Sequence, residues 1–305
     1  MSQNSSSEKP KGDVVEPKKK GPKLSFGEVV EKASARALQG GVAGAAAMFI
    51  NVGTLMWMRT TINYQYRNGT STTVALKTLY KEGGIPRFYR GLVPALIQGP
   101  MSRFGDTAAN TGALVFLESF EETENMASWQ KTFFASTAAA LFRIFLMPVD
   151  TFKTTMQVQG KDGVANLMAK FRSKGPNVFY HGSLAAASAT LVGHYPWFMV
   201  YNGLQDYIPK QESTVMKLAR NAFIGFSATC ASDTLSNSIR VVKVYKQANT
   251  ESIGYPEAVK RVIAEDGVVG LFGRGLKTKL IANGFQGLMF SVLWKLIDEQ
   301  FFGKK

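Results

Sequence analysis

Charged residues are absent from long stretches of this chain, and those stretches predict its elements. Residues 37–58 contain no Asp, Glu, Lys or Arg, and neither do residues 175–205. Each run is long enough to cross a bilayer, which takes roughly 20 apolar helical positions. Shorter uncharged runs at 91–102, 107–117, 132–142, 221–232 and 280–294 are separated by single charges or short charged segments. That pattern suits helices that cross a membrane with one side facing a wet interior. It predicts six long helices over 30–64, 92–118, 129–158, 183–208, 214–247 and 276–301. Short amphipathic helices are predicted between them, near 70–81, 163–172 and 255–264.

The pattern repeats. Arg59-Thr-Thr-Ile-Asn-Tyr-Gln65 is echoed by Lys153-Thr-Thr-Met-Gln-Val-Gln159 and, more faintly, by Lys243-Val-Tyr-Lys-Gln247. After each comes a polar stretch, a short amphipathic helix and a glycine–aromatic–base turn. The turns run from Glu82-Gly83 to Tyr89-Arg90-Gly91, from Gly175 to Tyr180-His181-Gly182, and from Asp266-Gly267 to Phe272-Gly273-Arg274-Gly275. A second apolar segment follows each turn, so the expected unit is two membrane helices and one surface helix, used three times. The units span 28–122, 123–211 and 212–305. Residues 1–27, rich in Ser, Pro and Lys, read as a disordered basic tail. They contain acids and no amphipathic arginine pattern, and so resemble neither a transit peptide nor a secretory signal.

The second unit carries the clearest chemistry. Pro148-Val149-Asp150-Thr151-Phe152-Lys153 puts an acid and a base three residues apart on one helix face, just after a proline that removes a backbone donor and bends the helix. In the first unit the matching positions are Thr54, Met56 and Arg59; in the third they are Ser238, Arg240 and Lys243.

Charge adds an orientation. The net charge is +14 on 305 residues, 45% of them hydrophobic. The three loop regions 59–91, 153–182 and 243–279 together hold +12, whereas the connection around Glu121-Glu122-Glu124 is acidic. A positive bias on alternate loops places those three on the inside face. The bases follow topology and no nucleic-acid-binding motif accompanies them, so no nucleic-acid partner is expected. One cysteine, Cys230, in an apolar run, reads as a small buried hydrophobe. Two histidines, His181 and His194, form no zinc cluster, so neither a metal nor a cofactor is expected. Nothing assembles a nucleophile, a base and oxyanion donors, so an enzyme is not expected.

The triple repeat resembles the mitochondrial carriers. Their unit reads P-x-[D/E]-x-x-[K/R], a gap, then [D/E]-G-x-x-x-x-[aromatic]-[K/R]-G, and the likeness covers roughly residues 30–303. It implies an all-α membrane protein of three pseudo-symmetric repeats, each with two transmembrane helices and a short matrix-side helix, around a central cavity. The implied place is the mitochondrial inner membrane, with both termini on the intermembrane-space side. Cardiolipin is an expected lipid partner, held by basic loops at helix ends.

The resemblance also assigns residues. The matrix gate falls on Arg59, Asp150, Lys153, Arg240 and Lys243, each acid pairing with the base of the next repeat. Only Asp150–Lys243 is then an ordinary bridge; Met56 cannot pair with Lys153, and Arg240 faces Arg59 with like charge. Such a gate should hold weakly unless substrate or a counter-anion fills it. The cytoplasmic gate falls on Tyr201, Asn202 and Gln205 and, with reversed charges, on Lys295 and Asp298. Cavity positions are Phe49, Arg143 and Asp233 on odd helices. On even helices they are Gln98, Ala189-Thr190 and Ala282-Asn283, with Arg103 and His194 about a turn further on. Gln98, Arg103, Arg143, Thr190, His194, Asp233 and Asn283 are therefore the candidate substrate contacts. Several have plainer readings: Arg143–Asp233 as a structural ion pair, Arg103–Asp106 as an i, i+3 pair, and His194 as a hydrogen-bonded bundle histidine. The small-residue face Gly40, Gly41 and Gly44 suits close helix packing within the bundle, or a homodimer contact. Six cavity bases against Asp150 and Asp233 favour an anionic or zwitterionic small molecule. The alternative is a carrier-fold protein that no longer transports and serves as an accessory subunit of an inner-membrane complex.

Overall fold

The computed structural model describes residues 26–124 and 126–301; the side chains of 39–41, 43, 44, 46, 47, 121, 128, 288 and 290–301 lie outside that description. Among the described residues every regular element is helical. In order they are α1 (Phe26–Asn68), α2 (Thr72–Phe88), α3 (Leu92–Glu118), α4 (Glu121–Glu124), α5 (Ser128–Phe145), α6 (Met147–Gln159), α7 (Gly163–Lys174), α8 (Ser183–Tyr207), α9 (Thr214–Ala248), α10 (Tyr255–Gly273) and α11 (Leu276–Phe301). The six long predicted helices and the three short ones are all present, and α5 with α6 makes up the one predicted over 129–158. The short helices α2 and α10 run past their expected ends because Gly83-Gly84 and Gly267 break them without ending them. The basic tail and the Gly40, Gly41 and Gly44 side faces fall almost wholly outside the described residues.

The three repeats bend differently, and the sequence gives the reason. Pro148 stands at the second position of α6, where its missing N–H leaves no hydrogen bond unmade. The segments Trp129–Phe145 and Met147–Lys174 meet at 65°. At the matching place in α1, Thr54 Oγ1 donates to the Ile50 carbonyl at 2.9 Å. A hydroxyl bonded to the carbonyl four residues back competes with the helix ladder and bends it. The backbone leaves helical geometry at the next residue, Leu55. Ser238 produces no such break, and α9 runs on for 35 residues.

No single helix among the described residues is long and apolar enough to cross a membrane by itself; Trp129–Phe145 with Met147–Lys174 qualifies only as a bent pair. The expectation that run 175–205 would suffice alone is therefore corrected, whereas run 37–58 lies partly outside the described residues. Lack of charge is not the same as apolarity. Residues 176–180 form a 3-10 turn outside α8, and Ser, Thr, Gly, His, Asn and Gln dilute α8 itself.

The repeats join in a ring through one recurring device. Gly91, Gly182 and Gly275, which precede α3, α8 and α11, have φ of +81°, +90° and +66°. Each lies against the odd helix of the next repeat: Gly91 on the Lys153 carbonyl, Gly182 on Lys243 and Gln247, and Gly275 on Ile62 and Tyr66. A side chain there would be strained in the backbone and crowded against a neighbour.

Beside each turn, a cation covers the open end of that odd helix. Arg87 donates to Gln157 O at 2.8 Å and Val158 O at 2.9 Å. Arg274 reaches Tyr66 O and Arg67 O at 3.5 and 3.3 Å. Lys170 reaches Gln247 O at 3.5 Å, where Gln159 also donates to Ala248 O at 2.8 Å. Helix C-termini leave carbonyls without intrahelical partners and favour positive charge. The largest apolar core lies at the same level, where Ile62, Tyr66, Val158, Val241, Tyr245, Ala258 and Val262 join α1, α6, α9 and α10.

These caps differ in strength, and the difference is measurable. Arg87→Met should lower stability by on the order of 3 kcal/mol, since two buried carbonyls lose a charged donor. Lys170→Met, which breaks one long contact, should cost well under half of that. Equal losses in thermal unfolding of the two variants would remove the capping account.

His181, in the second turn, supplies a pH test. Burial, with Lys246 and Lys170 adding positive charge, lowers its pKa to about 4 from 6.5. Between those values the unfolded chain binds a proton that the folded chain refuses. Its contribution is thus fully present above pH 6.5 and is lost as pH falls toward 4. His181→Asn should flatten that acid limb of the thermal stability profile; an unchanged limb would rule His181 out as its source.

Candidate functional site

The bundle interior is lined at two levels. At the level of the loops, Asp150 is buried at 3% exposure between two lysines. Lys243 Nζ lies 2.5 Å from Oδ2 and Lys153 Nζ 2.7 Å from Oδ1. Gln247 donates to Oδ2 at 3.3 Å, and Lys153 donates to Gln98 at 2.8 Å. The expected Asp150–Lys243 contact is thus formed. Lys153, facing buried Met56 across the seam, takes its own helix's acid and Gln98 instead.

Arg240 and Arg59, the like-charged pair expected here, each have a nearer partner. Each arginine turns back along its own helix. Arg59 donates to Asn51 Oδ1 and, at 3.5 Å, to Met48 Sδ. Arg240 donates to Ser236 at 3.2 Å and lies 3.5 Å from Asp233.

Neutral bonds hold the two seams that lack an inter-helix ion pair at this level. Asn63 donates to Gln157 at 2.5 Å between α1 and α6, where Gln157 also donates to Met56 Sδ at 3.4 Å. Between α9 and α1, Tyr66 donates to Asn237 at 3.0 Å, and Asn237 donates to Phe272 O and Arg274 O at 2.7 and 3.1 Å. Sequence reasoning missed Asn63, Tyr66, Gln157 and Asn237. The parallel Asn63 and Gln157 positions in the repeat were the available signal.

Deeper in the bundle, α5 presents Ser136 and Arg143 at seven-residue spacing on one side. Leu141 and Phe145 face outward at 63% and 68% exposure. Arg143 does not meet Asp233. Its Nη2 lies 2.5 Å from Asp106 Oδ2 on α3. The reason is local: Gly105 has no side chain, so the Phe142 ring seats directly against α3 and draws the next residue to Asp106. That also corrects the Arg103–Asp106 pairing; Arg103 is exposed and belongs to none of the ion pairs among the described residues.

Asp233 instead takes Lys279 at 2.9 Å, Asn283 at 2.7 Å and Arg240 at 3.5 Å. Lys279 escaped the sequence reading, although it and Lys277 were visible just past the turn glycine. His194 Nδ1 lies 2.6 Å from Ser136 Oγ, as a bundle histidine would. Thr190 donates to the Ala186 carbonyl at 3.1 Å, so its hydroxyl hydrogen serves its own helix. Cys230 is half-buried.

At the opposite end, the Tyr201 ring stacks on Trp197 at 4.7 Å. Gln205 accepts from Arg220 at 2.6 Å, and Arg220 also donates to Gln205 O and Ile208 O. This ties α8 to neighbouring α9, and Arg220 was not foreseen. Asn202 is exposed, and the side chains of Lys295 and Asp298 lie outside the described residues.

Three repeats of paired long helices around a charged, hydrogen-bonded interior define a carrier-type bundle. The family profile described as "Mitochondrial carrier protein" matches residues 30–111, 124–212 and 214–305, and the chain belongs to the mitochondrial carrier family. It is 26% identical over 148 residues to a mitochondrial carrier-like protein of Acanthamoeba polyphaga mimivirus, covering 48% of this chain and 57% of that protein. It is 25% identical over 252 residues to the mitochondrial thiamine pyrophosphate carrier of Homo sapiens, covering 71% and 74%. With mitochondrial substrate carrier family protein E of Dictyostelium discoideum it shares 26% over 181 residues, covering 52% and 59%. The chain thus spans little more than half the length of the viral and amoebal relatives.

If Asp150 and Lys243 hold the α6–α9 seam as a pair, Asp150→Asn and Lys243→Gln should each lower thermal stability. The double variant should lose less than the sum of the two, by about 1 kcal/mol or more. Strictly additive losses would mean the two side chains are uncoupled.

Proposed function

We propose that the protein is a solute carrier of the mitochondrial inner membrane that moves a small anionic or zwitterionic metabolite by alternating access. The observation that carries this is the interior set of bases. Arg59, Arg143, Lys153, Arg240, Lys243 and Lys279 outnumber Asp106, Asp150 and Asp233. Ionisable groups at such depth are expensive, and they mark a substrate path by default. Focused positive potential draws a negatively charged group into the bundle. The human relative's name, thiamine pyrophosphate carrier, points the same way.

In this reading six helices cross the bilayer: α1, α3, α5 with α6, α8, α9 and α11. Repeats 28–122, 123–211 and 212–305 rock about a midplane site. The basic loops face the matrix, where cardiolipin headgroups meet them. Gln98, Arg103, Arg143, Thr190, His194, Asp233 and Asn283 contact the substrate. Arg59, Asp150, Lys153, Arg240 and Lys243 close the matrix side. Tyr201, Asn202, Gln205, Lys295 and Asp298 close the other.

A second reading has one specific support: Asp150–Lys243 is the one ion pair between odd helices at the loop-side level among the described residues. A protein that serves as an accessory subunit of an inner-membrane complex has no need of two matched gates.

The two readings part at Arg143. Purified into liposomes, the wild type should take up a member of a broad metabolite panel, and that solute should raise its melting temperature with concentration. Arg143→Gln should abolish both effects while the protein stays folded. No uptake and no thermal shift across the panel, with stoichiometric co-purification in a respiratory assembly, would favour the accessory subunit.

A further inference from the structure

We infer that Asp106 and Arg143 receive the two opposite charges of a zwitterionic solute, so that the transported molecule carries both a cationic and an anionic group. This rests on the transport reading above, adds Asp106 to the site and narrows the substrate class.

The pair is made by one hydrogen bond, Arg143 Nη2 to Asp106 Oδ2 at 2.5 Å. A guanidinium and a carboxylate can form two parallel bonds. Here they do not, and Arg143 Nε and Asp106 Oδ1 are both buried without a protein partner. Each charged group therefore keeps unused capacity, one as a donor and one as an acceptor. The two side chains are 30% and 17% exposed, on the side of α5 opposite the outward Leu141 and Phe145.

The other interior acids are committed. Asp150 has two lysines and Gln247, while Asp233 has Lys279, Arg240 and Asn283. Among the described residues Asp106 is the one acid with a buried oxygen lacking a donor.

Charge balance then selects the ligand. A pure anion that captures Arg143 leaves the Asp106 carboxylate without its partner, and a pure cation that captures Asp106 strands Arg143. Removing one member of a partly buried pair is strongly unfavourable because the other charge is left uncompensated. A solute bearing both charges parts the pair and compensates both sides. When it leaves, the pair closes again.

The test uses matched sets of probes with the full chain in liposomes: thiamine pyrophosphate, thiamine and pyrophosphate; phosphocholine, choline and phosphate; an α-amino acid, its deaminated acid and its decarboxylated amine. Uptake and thermal shift are read for each. The zwitterionic member of at least one set should act at concentrations at least about tenfold below either half, as expected for the loss of one charged hydrogen-bond partner. Asp106→Asn should shift preference toward the anionic half, and Arg143→Gln toward the cationic half. The swapped double variant, Asp106→Arg with Arg143→Asp, should recover zwitterion uptake; it also carries the test if a single variant fails to fold. If the anionic half equals the zwitterion in the wild type, or if Asp106→Asn leaves the preference unchanged, the zwitterion assignment falls and transport stands. If nothing in these sets or in the broad panel is taken up or shifts the wild type, the transport reading falls and takes this assignment with it.

Discussion

Open helix ends are the constraint on which this structure depends. The odd helices of the three repeats finish inside the protein, at one level, with backbone carbonyls that no residue of the same helix can satisfy. Each repeat supplies the missing donor to the next one around the ring, from Arg87, Lys170 or Arg274, beside a turn glycine that lets the chains approach. No repeat completes its own ends. The strengths are unequal. Arg87 is a two-carbonyl fork anchored by Glu82, Arg274 is anchored by Glu265 and Asp266, and Lys170 makes a single long contact.

The seams inside the ring show the same trade between charge and neutral bonding. Where α6 meets α9, an acid sits between two lysines. Where α1 meets α6, and where α9 meets α1, amides and a phenol do the joining. A buried ion pair is a poor source of net stability but is damaging when half is removed. Replacing two such pairs by neutral groups therefore need not weaken the closed ring. It does remove the electrostatic mismatch that would otherwise separate those seams once they part.

Much of this was legible in the sequence. Long uncharged runs, the threefold echo and the alternate basic loops gave the six long helices, three short ones and their order, because these depend on local pattern. Pairing of side chains across helices was much less legible. Arg143 meets Asp106 because Gly105 admits Phe142, and Asp233 meets Lys279 because α11 packs against α9. Both outcomes depend on which helices pack side by side, which the spacing within one helix does not encode. The Asp150–Lys243 contact was foreseen since the repeat itself places those positions opposite one another. The acceptors that Arg59 and Arg240 take, Asn51, Ser236 and Asp233, lie on their own helices, eight residues or fewer from each base.

The three bends also differ as mechanical parts. Proline's kink in the second repeat is covalent and stiff, since its ring cannot re-form the missing ladder bond. In the first repeat the bend hangs on a hydroxyl hydrogen bond from Thr54 to Ile50, which a turn about one side-chain torsion undoes. The third repeat has neither, and α9 runs through 35 residues without a break. A bundle assembled from a fixed elbow, a spring and a beam cannot flex with threefold symmetry. Of the three, the bend that rests on the fewest fixed bonds is the one in α1 at Leu55.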